Sequence, residues 1–292
     1  MTGCTVMTET PICGTIFLDE AHISLFVQPT IGTEAKHQKR AASVPTFKEL
    51  EKLVLTEVEL AEHGYPSMRP DGPGAAIPLK SSGTSQWVPA NGCRIAKTHV
   101  FNVTSEETLC DFVSTPPSNG CLDFRSKKVY SLDTEMVFTT NGMEIGRVTM
   151  LDISKRVVMD NYVLPEFPIL DCNTEFSGIT EKDLKSGAMS LEKCRSEIFQ
   201  FVNAETVLIG HSLESDLKAL RLTHERVVDT AVLFAETDTR SSKKIKISLK
   251  NLAEQHLGTT IQSGENGHCP KEDAETCIDL VKMFLNRRRD SE

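Results

Sequence analysis

The spacing of hydrophobic and polar positions changes near residue 127 of the chain. Residues 1–44 show little periodicity, and prolines and glycines interrupt residues 45–126. From residue 127 onward, short β-branched runs alternate with segments whose apolar residues recur with helical spacing, which indicates strands and helices in turn. We therefore predict a poorly ordered segment over residues 1–44, an N-terminal extension over residues 45–126 and an α/β domain over residues 127–292.

The same pattern predicts the individual elements. Strands are expected over residues 129–133, 147–153, 157–163, 206–210 and 227–229. Helices are expected over residues 191–202, 213–222 and 271–286. Thr56 and Glu59 have the spacing of a capping box, which predicts a further short helix from about Glu57. Because only turns separate the first three strands, we expect an antiparallel meander followed by alternating helices and strands, and hence a mixed sheet flanked by helices.

Composition narrows the classes of function. The 292 residues include 41 Asp and Glu against 32 Lys and Arg, which gives a formal charge of −9. Domains that hold nucleic acid by general electrostatic attraction are usually basic, so a nucleic-acid ligand would need a local site. No apolar run approaches the roughly 18 to 20 residues that span a bilayer, and we expect a protein that is neither secreted nor membrane-bound. The nine cysteines lack the spacing of zinc knuckles and redox dithiols, which favours free thiols.

Three short motifs carry carboxylates at the ends of predicted elements. Asp133 and Glu135 are two residues apart in a strand, so both side chains leave the same face. Asp216 follows a strand that ends in glycine, a position where α/β folds bind ligands. His268 precedes Asp273 near the start of the last helix. Each motif alone also has a structural interpretation, as a solvent-facing acidic pair, a capped helix start, or a loop histidine bonded to solvent.

Together, Asp133, Glu135, Asp216, His268 and Asp273 resemble, in order and context, the DEDD exonuclease superfamily of the histidine subtype. Five segments are similar to its RNA exonuclease 1 (Rex-type) branch, namely SLDTEMV at 131–137, EFSGIT at 175–180, IGHSLESDLKAL at 209–220, VDT at 228–230 and GHCPKEDA at 267–274. Segments 55–66 and 92–99 resemble the N-terminal extension of that branch more weakly. The cysteine- and histidine-rich segment that the branch often carries there is missing, so the resemblance supports no zinc site.

The resemblance implies both a fold and a chemistry. The fold would be ribonuclease H-like, with a mixed central sheet, flanking helices and an irregular N-terminal extension. Asp133, Glu135, Asp216 and Asp273 would hold two divalent cations, Mg²⁺ or Mn²⁺, with Asp133 bridging them. His268 would be the general base. The implied reaction is 3′→5′ hydrolysis at a single-stranded RNA 3′ end, with release of nucleoside 5′-monophosphates.

Two other functions remain open from the sequence. One is a non-catalytic RNA-binding or scaffold protein that keeps the fold. The other is an exonuclease that acts mainly on single-stranded DNA, because recognition of the 2′-hydroxyl cannot be read from these motifs. The usual RNA-processing work of the family implies a nuclear location, with the cytoplasm as the alternative, and no protein partner is predicted.

Several neighbouring residues have two interpretations. Met136 is expected beneath the terminal base of the substrate or in the core. His211 is expected to order the turn before Asp216, with metal binding as the alternative, and Asp229 to support the site or cap a helix. Thr134 stands where the family frequently has a cysteine, and Gly146 stands where it usually has a hydroxyl residue. Neither departure is expected to touch a ligand of the cations. The last group is a run of lysines, for which we expect a solvated face, with contacts to RNA phosphates as the alternative. Its members are Lys243, Lys244, Lys246 and Lys250.

Overall fold

The computed structural model describes residues 44–68, 75–76, 111–237, 244–264 and 267–291. All of them belong to the unit Arg40–Glu292, and the other unit, Met1–Lys39, lies outside the described residues. The prediction of poor order over residues 1–44 therefore falls almost entirely outside them.

Short strands and helices alternate along the described residues. The strands are β1 (Ser67–Met68), β2 (Ala75–Ala76), β3 (Val113–Ser114), β4 (Val129–Thr139), β5 (Gly142–Asp152), β6 (Val157–Tyr162), β7 (Ile169–Asp171), β8 (Val207–Gly210), β9 (Leu222–Thr223), β10 (Val227–Asp229), β11 (Glu236–Thr237) and β12 (Lys244–Ile245). The helices are α1 (Phe47–Glu51), α2 (Glu57–His63), α3 (Thr174–Ser177), α4 (Glu181–Lys185), α5 (Leu191–Phe201), α6 (Glu214–Ala219), α7 (Thr230–Leu233), α8 (Leu249–Leu252) and α9 (Pro270–Ser291), with a π-helical turn, Ala253–Leu257, directly after α8. Across these ranges, no helix has the length and apolar character needed to cross a membrane.

Six strands form the central sheet. Its order is β10-β8-β4-β5-β6, and β7 pairs with the far end of β4. β8 runs parallel to both β4 and β10, whereas β5 and β6 continue the sheet as an antiparallel meander. The predicted meander and the predicted mixed sheet are both confirmed.

The first hairpin is longer than the pattern predicted. β4 continues past Asp133 to Thr139, and β5 begins at Gly142 rather than at residue 147. The two strands pair from Tyr130 opposite Asp152 to Thr139 opposite Gly142. Gly142 has a φ of +101°, in the region that side chains avoid, and this lets the chain reverse within two residues. Cross-strand hydrogen bonds therefore extend both strands through a segment whose composition reads as a turn.

The helix predictions are mostly confirmed. α2, α5 and α9 lie where the apolar spacing predicted them, and α2 begins at a complete capping box between Thr56 and Glu59. The prediction over residues 213–222 is wrong at its end, because α6 stops at Ala219 and Leu222–Thr223 pairs with β3. Arg221, between them, has a left-handed φ of +49°. Leu222 is buried in the strand, and an apolar residue at this spacing fits a buried helix face equally well, so apolar spacing alone could not separate helix from strand.

The alternation of side chains along β4 decides which helix meets which residue. Leu132 belongs to the hydrophobic cluster that also contains residues of α5 and α6. Ser131 points the other way, and its Oγ donates to the carbonyl oxygen of Ala274 in α9 at 2.8 Å. Asp133 and Glu135 follow Ser131 at two-residue intervals, so they share the face on which α9 packs.

Residues 46–66, within the predicted extension, form two capped helices that pack on the sheet. The N–H of Leu55 donates to the carbonyl oxygen of Val227 in β10 at 2.9 Å. Leu50 is fully buried in the cluster that contains residues of β8, α8 and α9. Two ion pairs reinforce the contact, Glu51 with Arg226 at 2.7 Å and Glu49 with Arg289 at 2.6 Å. The domain boundary near residue 127 remains a prediction, but this segment shares its core with the sheet.

We predict that Leu50→Ala lowers the free energy of unfolding by about 2 to 5 kcal/mol, because it removes a fully buried side chain and leaves a cavity. Urea denaturation of the full chain measures the change. Leu122→Ala is the matched control, because Leu122 is 92% exposed, and we expect it to change stability by less than about 0.5 kcal/mol. Equal stability of the Leu50 variant and the wild type would contradict the packing of α1 on the sheet.

Candidate active site

The loop before α9 determines where His268 and Asp273 lie. This loop passes directly over Gly178, whose backbone a Cβ at Gly267 would overlap. Gly267 also has a φ of +81°, so a glycine suits both its conformation and its close approach. The N–H of His268 donates to the carbonyl oxygen of Phe176 at 2.6 Å, which fixes the loop beside α3. Asp273 follows in the first turn of α9 and faces β4.

Glu135, His268 and Asp273 converge at this point. One possible ligand atom from each lies within 4.8 Å of the other two. Oδ2 of Asp273 accepts a hydrogen bond from Nε2 of Gln262 at 2.9 Å. Oδ1 of Asp273 is buried and has no hydrogen-bond partner among the described residues. Such a buried, unpaired oxygen is costly, so the arrangement is suited to a bound cation or a proton at this atom.

Asp216 is fixed by the strand that carries the first two carboxylates. Its Oδ1 accepts hydrogen bonds from the backbone N–H of Thr134 at 2.9 Å and from the Thr134 hydroxyl at 2.7 Å. Because Thr134 lies between Asp133 and Glu135, these bonds bring Asp216 to the same place as both. The prediction that residue 134 touches no proposed ligand is therefore wrong. A hydroxyl is a stronger hydrogen-bond donor than the thiol of the cysteine it replaces.

The other departure from the family pattern, Gly146, lies in a β-bulge. It is the extra residue of β5, opposite Glu135 and Met136 of β4. A Cβ at this position would lie 2.6 Å from Cδ1 of Ile179 and 3.0 Å from Cγ1 of Val137. A hydroxyl residue would force these side chains to move. Glycine therefore allows tight packing next to the strand position of Glu135.

Asp229 supports the turn that leads to Asp216. Its Oδ1 accepts hydrogen bonds from the N–H of Ala231, which caps α7, and from the N–H of Ser212, both at 2.8 Å. Ser212 has a left-handed φ of +56°, so this bond holds the turn in an unusual conformation. Oδ2 of Asp229 accepts a hydrogen bond from the buried Tyr65 hydroxyl at 2.8 Å. Sequence reasoning missed Tyr65, although it lies in the segment 55–66 that weakly resembles the family's extension.

His211 orders the same turn, as predicted. Its Nδ1 lies 2.9 Å from Oγ1 of Thr230, and that hydroxyl donates to the carbonyl oxygen of Gly210. The imidazole is thereby tied to the start of α7. Burial lowers the pKa of His211, which favours the neutral ring in this position.

The lysine face is only partly as expected. Nζ of Lys246 lies 2.9 Å from Oε1 of Glu214 and 3.3 Å from Oγ of Ser212, and the side chain is half-buried. The prediction of a solvated face is therefore wrong for Lys246, which pairs with the first turn of α6. Lys244 and Lys250 are exposed, and Lys243 lies outside the described residues.

Burial raises the pKa values of all four carboxyls, and the charges of neighbouring carboxylates raise them further. The pKa of Asp133 lies well above its usual range, because the group is buried and faces the charges of Asp216, Asp273 and Glu135. Burial, followed by the charges of Asp273 and Asp216, raises the pKa of Glu135 to about 8. Burial also raises the pKa of Asp216 to about 7 and that of Asp273 to about 6. Each carboxyl therefore favours a nearby positive charge or a proton.

The donor set fits hard divalent cations. Asp133, Glu135, Asp216 and Asp273 offer carboxylate oxygens, which are the ligands that Mg²⁺ and Mn²⁺ prefer. The unpaired Oδ1 of Asp273 and the raised pKa values indicate that protein groups alone do not satisfy this site. His268 lies beside Glu135 and Asp273, and it is half-buried. The five predicted site residues thus come together, and none of them lies elsewhere.

Three neighbours of the site were missed or left open by the sequence. The ring of Phe176 meets the ring of His268 edge to face, with centroids 6.2 Å apart, and Phe176 is 49% exposed. Gln262 holds Asp273, but nothing in its sequence context distinguishes it from an ordinary loop residue. Met136 is half-buried and lies outside the hydrophobic clusters of the described residues. Simple core packing therefore does not account for Met136.

Comparisons with known proteins show which proteins this chain is similar to. No protein-family model matches the chain. The chain is 35% identical to human RNA exonuclease 1 homolog over 289 residues, which covers 80% of the chain and 23% of that protein. It is 34% identical to chimpanzee exonuclease GOR over 296 residues, covering 83% of the chain and 42% of the relative. It is 36% identical to RNA exonuclease 3 of Candida albicans over 204 residues, covering 68% of the chain and 49% of that relative. The chain thus spans less than half the length of each of these relatives.

Solved structures support the fold. The Neurospora crassa Pan2 catalytic unit, which contains a protease and a nuclease domain, matches 61% of this chain and 30% of its own at a TM-score of 0.52 and 24% identity. The ribonuclease H-like exonuclease fold predicted from the sequence is confirmed. The predicted resemblance of the chain to RNA exonucleases of the RNA exonuclease 1 branch is confirmed by these relatives.

We predict that Asp133→Asn stabilises the metal-free protein at pH 7, by on the order of 1 kcal/mol. The folded-state pKa of Asp133 is raised, so its ionisation opposes folding above the pKa of the unfolded chain. The advantage of the variant should therefore disappear as the pH falls below about 4, where the carboxyl is protonated in both states. Thermal unfolding in EDTA between pH 3 and 8 measures it.

The same variant should respond less to divalent cations. Added Mg²⁺ or Mn²⁺ should raise the melting temperature of the wild type, because a cation that binds only the folded state stabilises it. The rise should be smaller for Asp133→Asn. A variant that is less stable than the wild type in EDTA at pH 7 would contradict the repulsion described above.

Proposed function

We propose that the chain is a metal-dependent 3′→5′ exoribonuclease that releases nucleoside 5′-monophosphates. One observation carries the proposal: four carboxylates with raised pKa values, three of them buried and Asp133 half-buried, lie with one histidine at the start of α9, and Oδ1 of Asp273 has no hydrogen-bond partner among the described residues. Phosphodiester hydrolysis needs charge neutralised on the phosphate and at the leaving oxygen, and such a site is suited to hold the cations that do so. The names of relatives such as RNA exonuclease 1 homolog support RNA as the substrate.

The carboxylates would hold two divalent cations. Asp133 and Glu135 reach the site from β4, Asp216 from the first turn of α6, and Asp273 from the first turn of α9. When bound, Mg²⁺ or Mn²⁺ would neutralise the phosphate, lower the pKa of the attacking water and stabilise the leaving 3′-oxygen. Hydrogen bonds from Thr134 to Asp216 and from Gln262 to Asp273 hold two of the four carboxylates in place.

His268 is suited to accept the proton of the attacking water. Burial lowers its pKa, and the charge of Lys250 lowers it further, whereas Glu272 opposes the change. A histidine with a lowered pKa is neutral near pH 7, which is the form that a general base requires. Its backbone bond to Phe176 and the edge-to-face ring contact hold the imidazole at the mouth of the site.

The substrate polymer and the cellular location follow from supporting arguments. The relatives whose names specify RNA favour an RNA 3′ end over DNA, and Met136 and the exposed ring of Phe176 are available to contact a terminal base. A nuclear location is our proposal for the place of action. A single-stranded DNA exonuclease and a non-catalytic RNA-binding protein are the competing functions.

We predict that Asp273→Asn lowers hydrolysis of a 5′-labelled oligoribonucleotide by more than about 100-fold, because it removes a proposed cation ligand. Products should be nucleoside 5′-monophosphates and a ladder that shortens from the 3′ end. Asp290→Asn, an exposed residue at the other end of the same helix, should have wild-type activity.

Matched RNA and DNA oligonucleotides, each with a free or a blocked 3′ end, separate the alternatives in Mg²⁺, Mn²⁺ and EDTA. Preferred cleavage of DNA would favour the DNA exonuclease. Binding of RNA without hydrolysis in either metal would favour the scaffold protein. Equal rates of cleavage for substrates with a free and with a blocked 3′ end would contradict the proposed 3′→5′ direction.

We predict that log kcat/KM declines along an acid limb with an apparent pKa below 6.5, the ordinary value for histidine. Activity is lost as the pH drops through the lowered pKa of His268. Lys250→Met removes a positive charge and should move this limb to higher pH by up to about one unit. Lys193→Met, an exposed lysine on α5, is the control and should leave the limb in place. His268→Ala should remove the limb and lower the rate near neutral pH, and an unchanged profile would contradict the general-base assignment.

A further inference from the structure

A second concave surface lies at the opposite end of α9 from the candidate active site. It is an open cavity of about 410 Å³, lined by Phe234, His256, Phe284, Arg287, Arg288 and Ser291. None of these residues belongs to the site described above. We call this surface the C-terminal pocket.

Flat side chains form the wall of the C-terminal pocket. The rings of Phe234 and His256 are tilted by 38° with centroids 4.9 Å apart, and Phe284 meets Phe234 edge to face at 5.6 Å. The guanidinium of Arg288 lies 5.9 Å from the centre of the Phe284 ring. Nη1 of Arg287 lies 3.3 Å from Nδ1 of His256. Aromatic rings combined with arginine planes are the groups on which single-stranded nucleic acids stack their bases.

The two arginines of this pocket are available to a ligand. Arg287 and Arg288 are exposed, and within the described ranges neither forms an ion pair with a carboxylate. The adjacent Arg289 differs, because it pairs with Glu49 at 2.6 Å. Two uncompensated cations beside aromatic rings are unusual on a chain with a formal charge of −9. They complement a phosphate, whereas a neutral or basic peptide would gain nothing from them.

Two helical segments connect the active site to the C-terminal pocket. Along α9, Asp273 and Arg288 are fifteen positions apart, a rise of roughly 22 Å. The second segment runs from Lys250, whose charge acts on His268, to His256. His256 lies in the π-helical turn Ala253–Leu257, and π-helical turns are rare and frequently occur at functional sites.

We propose that the C-terminal pocket is a second RNA site, which stacks a base and binds a phosphate of the strand upstream of the 3′ end. This inference rests on the proposed function, because that function places the 3′ end at Asp273 and His268. Phosphates recur about every 3.4 Å along a stacked strand, so about six nucleotides span the roughly 22 Å between the sites. Lys250, exposed near the start of the helical segment that leads from His268 to His256, is available to contact a phosphate of this strand.

Binding of fluorescent oligoribonucleotides of two to twelve nucleotides tests the proposal in EDTA, without hydrolysis. Wild-type affinity should rise once the strand exceeds about six nucleotides. The double variant Arg287→Glu/Arg288→Glu should lose about 10-fold or more of this gain and should leave the shortest strands unaffected. It should also reduce the slope of log affinity against log salt by about one to two. Phe284→Leu should lose part of the gain without changing the salt slope.

The matched control is Lys128→Glu/Lys193→Glu, which alters the net charge equally at exposed positions before β4 and on α5. Equal losses in the control and the pocket variant would reduce the effect to general electrostatics and would overturn the proposal. A pocket variant with the same melting temperature and the same dependence of affinity on strand length as the wild type would also overturn the proposal. That result is expected if the natural occupant of the pocket is a peptide. Hydrolysis is measured in a separate assay. An inactive wild type would contradict the proposed function, whereas the binding series would still test the role of the C-terminal pocket.

Discussion

The mutual repulsion of four carboxylates in one buried place is the constraint on which the rest of the structure depends. Asp133 and Glu135 leave β4 on one face, and Asp216 and Asp273 are brought against them, although burial and like charge raise the pKa of each. Only a rigid frame can hold such groups together without a cation. The protein supplies it through hydrogen bonds from Thr134 to Asp216 and from Gln262 to Asp273.

The N-terminal helices are part of that frame. Tyr65 donates its hydroxyl to Asp229, which in turn holds the left-handed Ser212 in the turn that leads to Asp216. Leu50 is fully buried in the hydrophobic cluster that also contains residues of β8, α8 and α9. A segment that the sequence presents as an extension therefore contributes both to stability and to the position of a proposed cation ligand.

The acidity of the chain acquires a local meaning from the structure. Part of the formal charge of −9 belongs to carboxylates that are suited to hold cations, so the overall charge does not argue against a nucleic-acid substrate. Within the part of the chain that the structure describes, three exposed cations are placed to meet RNA. Lys250 lies beside His268, and Arg287 and Arg288 lie in the C-terminal pocket. Recognition would then depend on the 3′ end and a short stretch of strand rather than on a broad basic surface.

The sequence by itself determined the meander and most of the helices and strands, because side-chain alternation and apolar spacing are local properties of the chain. The five residues of the candidate site were found through their resemblance to the DEDD exonucleases. The sequence could not determine that β4 extends to Thr139, since cross-strand pairing with β5 decides that length. Nor could it identify Tyr65, Thr134 or Gln262 as supports of the site, because each acts across a long sequence separation or from an unremarkable loop. Such contacts exist only once the sheet and α9 have packed, so tertiary structure alone decided which ordinary polar side chains hold the carboxylates in place.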